Sequence, residues 1–245
     1  AYNDYVVYDE TTSMSKDNIY AYAQYVTMLG EKASLVLGTG AKVFVVNDGL
    51  NTLSYVKNLS TLRLNYKINK KMSLSAVASL SPSLPSLSDL STILQRTDDV
   101  QANVGNADLK PYNTLSGRLQ FNYNAPKIFY ATATAGYGHS FNPIVYTYHY
   151  NPELNLFVNS PHNSDYYKTM YFNTKIGAKK LFEFLYISLT GNLRKQESKG
   201  IGFHHENLNF YSSVEVQAVW EKFTMGCDFD ITPAITLYGE NLTYN

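Results

Sequence analysis

The histidines are the residues of this chain with the clearest capacity to bind a metal ion, and there are five of them. His204 and His205 are adjacent, so on a strand their side chains would point to opposite faces and could not share one ion. His139, His149 and His162 lie in or near predicted long loops, without carboxylates at the spacing typical of a ligand set. The pattern favours solvent-exposed histidines, and it predicts no metal site and no cofactor.

Two pairs of carboxylates could in principle support acid–base chemistry. They are Asp98 with Asp99 and Asp228 with Asp230. The second pair shares one face of a predicted strand with Thr224, and lining of a polar strand face explains it more simply than catalysis does. The sequence contains no Gly-x-Ser-x-Gly, phosphate-binding loop or dinucleotide fingerprint. It therefore predicts no enzymatic activity, and no residue is assigned a catalytic role.

Aromatic residues are the most unusual part of the composition, with 22 Tyr and 12 Phe beside a single Trp. The stretch YTYHYNPELNLF at 146–157 brings Tyr146, Tyr148, Tyr150 and Phe157 into one predicted loop. Such a loop could stack on a sugar or a peptide ligand. The alternative, which we favour, is a belt of aromatic residues or a hairpin that packs on itself. Other tyrosines near strand ends are interpreted as the same belt, namely Tyr20, Tyr22, Tyr25, Tyr130, Tyr137, Tyr166, Tyr167 and Tyr171.

Composition excludes several classes of protein. The chain has 245 residues, of which 44% are hydrophobic and only 16% charged, and its 20 basic and 20 acidic residues cancel. This balance argues against electrostatic attraction to nucleic acid. The single cysteine, Cys227, excludes an intramolecular disulfide and a thiolate zinc cluster. No window approaches the roughly 18 consecutive apolar residues of a spanning helix.

The elements that must position all these residues are strands with two different faces. Residues 61–68 alternate between apolar and polar side chains, and the alternation recurs at 72–81, 114–124, 185–194, 208–220 and 223–232. These segments have about ten residues, the length that crosses a bilayer at a slant of about 45°, whereas globular strands have about 5–6. The polar faces are too rich in charge to pack as a sandwich interior. The pattern predicts an all-β, antiparallel transmembrane β-barrel with lipid outside and a water-filled lumen.

Eleven crossings are predicted, and their connectors alternate between tight and long. The crossings are 3–9, 18–29, 32–46, 59–68, 71–81, 114–124, 127–141, 165–178, 181–195, 207–220 and 222–238. The predicted tight turns are Gly30-Glu31, Asn69-Lys70, Ala125-Pro126, Lys179-Lys180 and Glu221-Lys222, and the long loops are 10–17, 47–58, 82–113, 141–165 and 195–207. Short turns on one rim and long loops on the other are typical of bacterial outer-membrane barrels. Because single-chain barrels of this kind have even strand numbers, eleven indicates a miscounted strand or part of a larger barrel.

Two stretches resemble the barrel of TonB-dependent outer-membrane receptors of the Bacteroidetes type. One is IYAYAQYVTMLGEKASLVLGTGAKVFV at 19–45. The other is LNYKINKKMSLSAVASLSPSLPSLSDL at 64–90, followed by VGNADLKPYNTLSGRLQFNY at 104–123. The family motif there is Gly-Asn-Pro-Asp-Leu-Lys-Pro, with Ala107 in place of its first proline, and the matching residues are Gly105, Asn106, Asp108, Leu109, Lys110 and Pro111.

The resemblance implies a 22-stranded barrel preceded by a plug domain. Residues 1–245 would then be a barrel segment that contains neither the plug nor a signal peptide. It also implies nutrient import across the bacterial outer membrane, energy from the TonB complex acting on the plug, and contact with outer-membrane lipid. The resemblance also allows for a surface lipoprotein partner, and it leaves the ligand open among a small molecule, a glycan and a peptide. Loops 82–113 and 141–165 would gate the barrel or contact the ligand.

Two other functions fit the same alternation. One is a smaller self-contained outer-membrane barrel that acts as a passive pore or an adhesin. The other is a soluble β-sandwich that binds carbohydrate through its tyrosines.

Overall fold

The structure is a computed structural model that describes residues 15–47, 52–125, 129–200 and 202–231. Within these residues no helix has the length and apolarity needed to cross a bilayer. Strands dominate, and the ten that build the main sheet are β1 (Ser15–Leu29), β2 (Ala33–Asn47), β3 (Thr52–Lys67), β4 (Met72–Ser83), β7 (Tyr112–Ala125), β8 (Phe129–Phe141), β11 (Tyr166–Leu181), β12 (Leu185–Gly200), β13 (Phe203–Trp220) and β14 (Phe223–Ile231). The remaining elements are a short helix, α1 (Leu87–Leu90), and the strands β5 (Gln95–Arg96), β6 (Gln101–Asn103), β9 (Ile144–Asn151) and β10 (Leu156–Asn163).

The ten long strands form one antiparallel sheet in the order β1-β2-β3-β4-β7-β8-β11-β12-β13-β14. Among the described residues, β1 and β14 are the two ends of this sheet, so the wall is open between them. These strands correspond to ten of the eleven predicted crossings, and the eleventh, at 3–9, lies outside the described residues. A soluble sandwich is the wrong interpretation, because the strands form one continuous wall and not two packed sheets.

The register separates an apolar face of the wall from a polar face. Directly paired residues share a face, and one row of such pairs consists of Leu35, Leu64, Ala76, Leu119, Ala135, Phe172, Leu193 and Phe210. The row beside it, one residue along each strand, consists of Ser34, Asn65, Ser75, Gln120, Thr134, Asn173, Asn192 and Tyr211. No described part of the chain covers the apolar face, since Leu119 is 47% exposed and Phe172 48%. The predicted separation into two faces is confirmed.

Two of the predicted long loops are largely strand. β3 begins at Thr52, inside the predicted loop 47–58. β12 continues to Gly200 and β13 begins at Phe203, so the predicted loop 195–207 is a tight hairpin around Gly202, which has φ +82°. These polar segments still pair backbone to backbone, and the hairpin therefore projects beyond the apolar band as regular sheet.

One of the predicted tight turns is displaced. The turn expected at Lys179-Lys180 lies later, because β11 passes through an irregularity between Ala178 and Leu181 before it ends. The turn at Ala125-Pro126 lies mainly outside the described residues.

Aromatic residues mark the rim with the short turns. Phe182, Trp220 and Phe223 are 73–81% exposed there, and the rings of Phe184 and Trp220 lie 6.5 Å apart. Exposed aromatic side chains at this height are typical of the interfacial girdle of an outer-membrane barrel.

Three of the tyrosines predicted to belong to that belt have another role. Tyr22, Tyr130 and Tyr171 lie on the polar face, and each covers a glycine of the neighbouring strand. The glycines are Gly38, Gly177 and Gly136, and a Cβ at any of them would overlap the tyrosine side chain. The belt interpretation is therefore wrong for these three residues, whose rings fill the gaps that glycine leaves in the sheet.

Candidate functional site

The two longest connections between wall strands, 82–113 and 141–165, join into one four-stranded sheet. Its order is β5-β6-β10-β9, and we call it the outer-loop sheet. The parallel pairing of β6 with β10 connects the two loops. At its ends, the Phe157 amide donates to the Val100 carbonyl at 2.8 Å and the Val104 amide donates to the Asn159 carbonyl at 3.0 Å. Sequence reasoning treated these loops as separate, and the structure makes them one unit.

One face of the outer-loop sheet carries the four aromatic residues that the sequence singled out. Tyr146, Tyr148 and Tyr150 alternate along β9, and Phe157 of β10 pairs directly with Tyr150. All four are between 49% and 56% exposed, and the Tyr150 and Phe157 rings lie 5.3 Å apart. We call this set the aromatic platform.

The centre of the opposite face of the outer-loop sheet is buried, while Arg96 and His149 at its edges are exposed. Ala102, Leu156 and Val158 are at most 4% exposed, and Val104 packs against them. The sheet therefore buries small aliphatic residues on one face and exposes aromatic residues to solvent on the other.

A hydrogen bond ties the platform to helix α1. The Tyr146 hydroxyl donates to Asp89 Oδ1 at 2.7 Å. Asp89 also belongs to a capping box with Ser86, whose amide donates to Asp89 Oδ2 at 2.9 Å. Burial disfavours the charged Asp89 carboxylate, but the hydrogen bonds from Ser86 and Tyr146 and the charge of Lys16 outweigh burial and lower its pKa. The bond to Asp89, followed by burial, raises the pKa of Tyr146 to about 12.

The first half of the predicted family motif holds loop 82–113 to the turn after α1. The Gly105 amide donates to the Ser91 carbonyl at 2.7 Å, and the Asn106 amide donates to the Asp89 carbonyl at 2.6 Å. A Cβ on Gly105 would lie only 2.3 Å from the Ser91 oxygen and 2.5 Å from the Asp89 oxygen, so no side chain fits there. Asn106 Nδ2 also donates to the Pro161 carbonyl at 3.1 Å, and this bond reaches across to the second loop.

The second half of the motif completes the connection. The Lys110 amide donates to Asn163 Oδ1 at 2.9 Å, and Asn163 Nδ2 donates to the carbonyls of Lys110 at 3.0 Å and Asn142 at 2.8 Å. The Asp108 amide donates to Asn106 Oδ1 at 2.9 Å, and Leu109 is 2% exposed. Pro111 is buried directly before β7. The motif residues therefore act as a structural clasp between the two loops.

The clasp packs against the outer end of the wall, on its polar face. Leu109 and Leu90 form a buried cluster with Val46, which lies on the same face of β2 as Ser34. Its paired residue Lys16 donates from Nζ to the Pro85 carbonyl at 3.1 Å. The loops thus fold inward, over the lumen side of the barrel wall.

A small polar cleft lies between α1 and the outer-loop sheet. Its volume is about 250 Å³, and Asp89, Gln95, Asn103, Tyr146 and Asn159 contribute polar groups to its lining. Asn159 Oδ1 is buried and accepts no hydrogen bond from any described residue. A buried amide oxygen without a donor favours a site that a ligand or water completes.

The predicted carboxylate pairs have structural explanations. Asp98 Oδ1 accepts hydrogen bonds from the amides of Val100 at 2.8 Å and Gln101 at 2.7 Å, as in a turn. Asp228 and Asp230 lie on the polar face of β14, as the lumen-lining interpretation predicts.

Sequence reasoning missed one group that could hold a metal ion. Glu197, His204 and Glu206 each offer a ligand atom, and the three atoms lie within 4.8 Å of one another. The available signal was the His-x-Glu spacing, which puts His204 and Glu206 on one face of a strand. The sequence predicts a loop at 195–207, and in a loop this spacing carries no information about facing. His205 points to the other face, as predicted.

The comparison with protein families identifies the class of β-sheet protein to which this wall belongs. A model of the outer membrane protein beta-barrel family matches residues 14–240. This chain belongs to that family. The barrel segment therefore lies in the bacterial outer membrane, and its apolar face contacts lipid.

Solved structures with the same fold include two transporters and a siderophore receptor. The copper transporter OprC superposes with a TM-score of 0.72 at 12% identity, covering 89% of this chain and 34% of OprC. The FrpB iron transporter from Neisseria meningitidis (F3-3 variant) gives 0.65 at 13% identity, covering 89% of this chain and 33% of FrpB. The siderophore receptor PirA from Pseudomonas aeruginosa gives 0.57 at 12% identity, covering 90% and 50%. The chain thus spans only a third to a half of these proteins, and the likeness shows the fold. Among curated proteins, no sequence matches this chain significantly.

Proposed function

We propose that this chain forms part of the wall and outer loops of a TonB-dependent receptor that imports a nutrient into the periplasm. In this role the rest of a larger barrel, of about 22 strands, and a plug lie outside residues 1–245. The TonB complex acts on the plug, and a surface lipoprotein can cover the outer mouth. The chain itself is a binding and scaffolding element without catalytic chemistry.

The observation that carries the proposal is the inward fold of the outer loops. Loop 82–113, which carries β5 and β6 of the outer-loop sheet, contacts the polar face of β1 and β2 through Pro85, Leu90 and Leu109, so a ligand bound on that sheet would sit over the barrel opening. A loop unit placed there suits capture before transport. The similarity of fold to a copper transporter, an iron transporter and a siderophore receptor supports transport as the function class.

The chemistry of the site favours an uncharged ligand rich in hydroxyl or amide groups. The aromatic platform offers ring faces for stacking, and the neighbouring cleft offers amide groups of Asn103, Asn159 and Gln95. Asp89, the one charged group among the described residues that line the cleft, already accepts hydrogen bonds from Tyr146 and Ser86. Ring faces combined with amides are the donor set of sites that bind neutral sugars and peptides.

Binding of neutral oligosaccharides and short uncharged peptides to the intact protein in detergent tests this assignment. We expect selective binding that Phe157→Ala and Tyr150→Ala weaken by at least tenfold, because each ring removes stacking area. His149→Ala is the matched control, since His149 lies on the opposite face of the same strand. Equal binding by all variants, or no binding by the wild type, would contradict the site.

Energy dependence separates an importer from a passive pore. Uptake of the bound compound by whole cells should stop when the proton-motive force is collapsed, and the protein in a planar bilayer should show no large steady conductance. Uptake that persists without the proton-motive force, together with an open channel, would assign the alternative function.

A further inference from the structure

The group formed by Glu197, His204 and Glu206 lies on the outside of the wall, on the face opposite to the one that the outer loops cover. His204 Nε2 is 3.5 Å from Glu197 Oε1 and 4.0 Å from Glu206 Oε1. Glu197 and Glu206 are directly opposite each other on β12 and β13. All three residues share the apolar face, because they continue the alternation of Leu193 and Phe210.

The position of the cluster along β12 places it at the outer edge of the apolar band of the membrane. The apolar residues of β12 on this face run from Leu185 to Leu193, and charged residues begin at Lys195. At about 3.3 Å per residue and a slant of about 45°, that run spans about 20 Å, close to the roughly 25 Å apolar band of outer-membrane barrels. The cluster lies just beyond the band, where His204 is 51% exposed and ions have access from water.

We propose that Glu197, His204 and Glu206 form a binding site for a divalent transition-metal cation, for which Zn²⁺ is the representative ion. Bond lengths of about 2.0–2.1 Å put neighbouring ligand atoms of a tetrahedral zinc site about 3.4 Å apart. The two distances from the His204 nitrogen are already within about 0.6 Å of that value. Two carboxylates and one imidazole leave the fourth position open to water.

The pairing of the two glutamates supports a cation between them. Like charges directly opposite on neighbouring antiparallel strands destabilise the sheet. His204 bridges the pair, with its Nε2 aimed at one oxygen of each carboxylate. A divalent ion bound between the same two carboxylate oxygens would offset more of their negative charge than His204 does, because it carries two positive charges.

Surrounding side chains can keep the carboxylates oriented while the ion binds. Lys195 Nζ lies 3.1 Å from Glu206 Oε2, which is the oxygen turned away from the His204 contact. The Tyr166 hydroxyl donates to Glu197 Oε1, and Lys168 Nζ lies 3.9 Å from the same atom. Contacts of this kind orient metal ligands, although the two lysines also lower the affinity by repelling the cation.

Titration of the intact, detergent-solubilised protein with Zn²⁺ alone, followed by calorimetry, tests the site. We expect the wild type to bind one more equivalent of Zn²⁺ than His204→Ala, and Glu206→Gln to weaken that equivalent by at least tenfold. His205→Ala is the matched control, because it removes the neighbouring imidazole on the other face, and it should leave the equivalent unchanged. Identical stoichiometry and affinity in the wild type and His204→Ala would overturn the proposal.

A measurement on the wild type keeps the test independent of variant folding. Modification of histidine by diethyl pyrocarbonate, located by mass spectrometry, should slow at least fivefold at His204 when Zn²⁺ is added. The rate at His205 should not change. Equal rates at His204 with and without Zn²⁺ would contradict the site even if every variant failed to fold.

Discussion

Replacement of Gly105 by alanine should break the contacts that hold loop 82–113 in place, while the strands of the wall stay paired. The added Cβ would lie 2.3, 2.5 and 2.7 Å from the carbonyl oxygens of Ser91, Asp89 and Ser88. These are backbone atoms, which cannot rotate away, so the segment must move. The movement breaks the hydrogen bonds from the Gly105 and Asn106 amides, at 2.7 and 2.6 Å.

The size of the effect follows from those two bonds. A protein hydrogen bond contributes about 0.5–1.5 kcal/mol net, so their loss should lower the local opening free energy by about 1–3 kcal/mol. This corresponds to about a 5-fold to 150-fold increase in the amide exchange rates of the opened segment. Because the β6–β10 pairing depends on the clasp, we expect the faster exchange in β6 and β10.

Hydrogen exchange followed by mass spectrometry, with the protein in lipid, measures this change directly. Gly117→Ala is the control, since a Cβ at Gly117 meets no atom within 4 Å. We expect it to exchange like the wild type. Two results would contradict a local role for the clasp. One is unchanged amide protection of β6 and β10 in Gly105→Ala, and the other is an equal loss of protection in β7 and β8.

Two further predictions concern lipid contact and pH. Leu189 lies at the middle of the apolar run of β12, paired with Ile176 and Val214, so Leu189→Arg should destabilise the protein in vesicles by about 2–4 kcal/mol in a denaturant titration. Asn192→Arg, on the polar face, should cost much less, and equal losses would contradict the facing. The raised pKa of Tyr146, about 12, means that its bond to Asp89 stabilises the loops below about pH 10 and is lost between about pH 10 and 12. The lowered pKa of Asp89 means that the same contact is kept above the ordinary carboxyl range and lost as the pH falls through the folded value. The difference in tyrosinate absorbance between the wild type and Tyr146→Phe should therefore show a transition near pH 12, and a transition near pH 10 would refute it.

The wall could be predicted from the sequence because its physics is local and periodic. Alternation such as that of residues 61–68 fixes both the strand and its two faces, and a one-residue error would reverse every side chain. Strand ends were harder to predict. The segments 52–58, 195–200 and 203–207 are rich in polar residues and resemble loops in composition, yet their backbones remain paired. Hydrogen bonding between backbones does not depend on side-chain polarity, so composition alone could not find these hairpins.

The site was only partly accessible from the sequence for a different reason. The four platform residues were recognised as a group because they are close in sequence. Their union with loop 82–113 depends on the parallel pairing of β6 with β10, across more than fifty residues of chain. The clasp likewise depends on Asn163, which no local pattern connects to Lys110. Contacts between residues this far apart in the sequence form only because the folded wall brings both loops to its outer end.

The most direct test of the account is to find which solvent each face of β12 meets. Spin labels placed one at a time at residues 187–193, after Cys227→Ser, report accessibility to oxygen dissolved in lipid and to a water-soluble nickel complex. We predict a period of two, with oxygen favoured at 187, 189 and 193 and nickel favoured at 188, 190 and 192. Uniform accessibility along the strand, or the opposite phase, would contradict a wall with lipid on one face and water on the other.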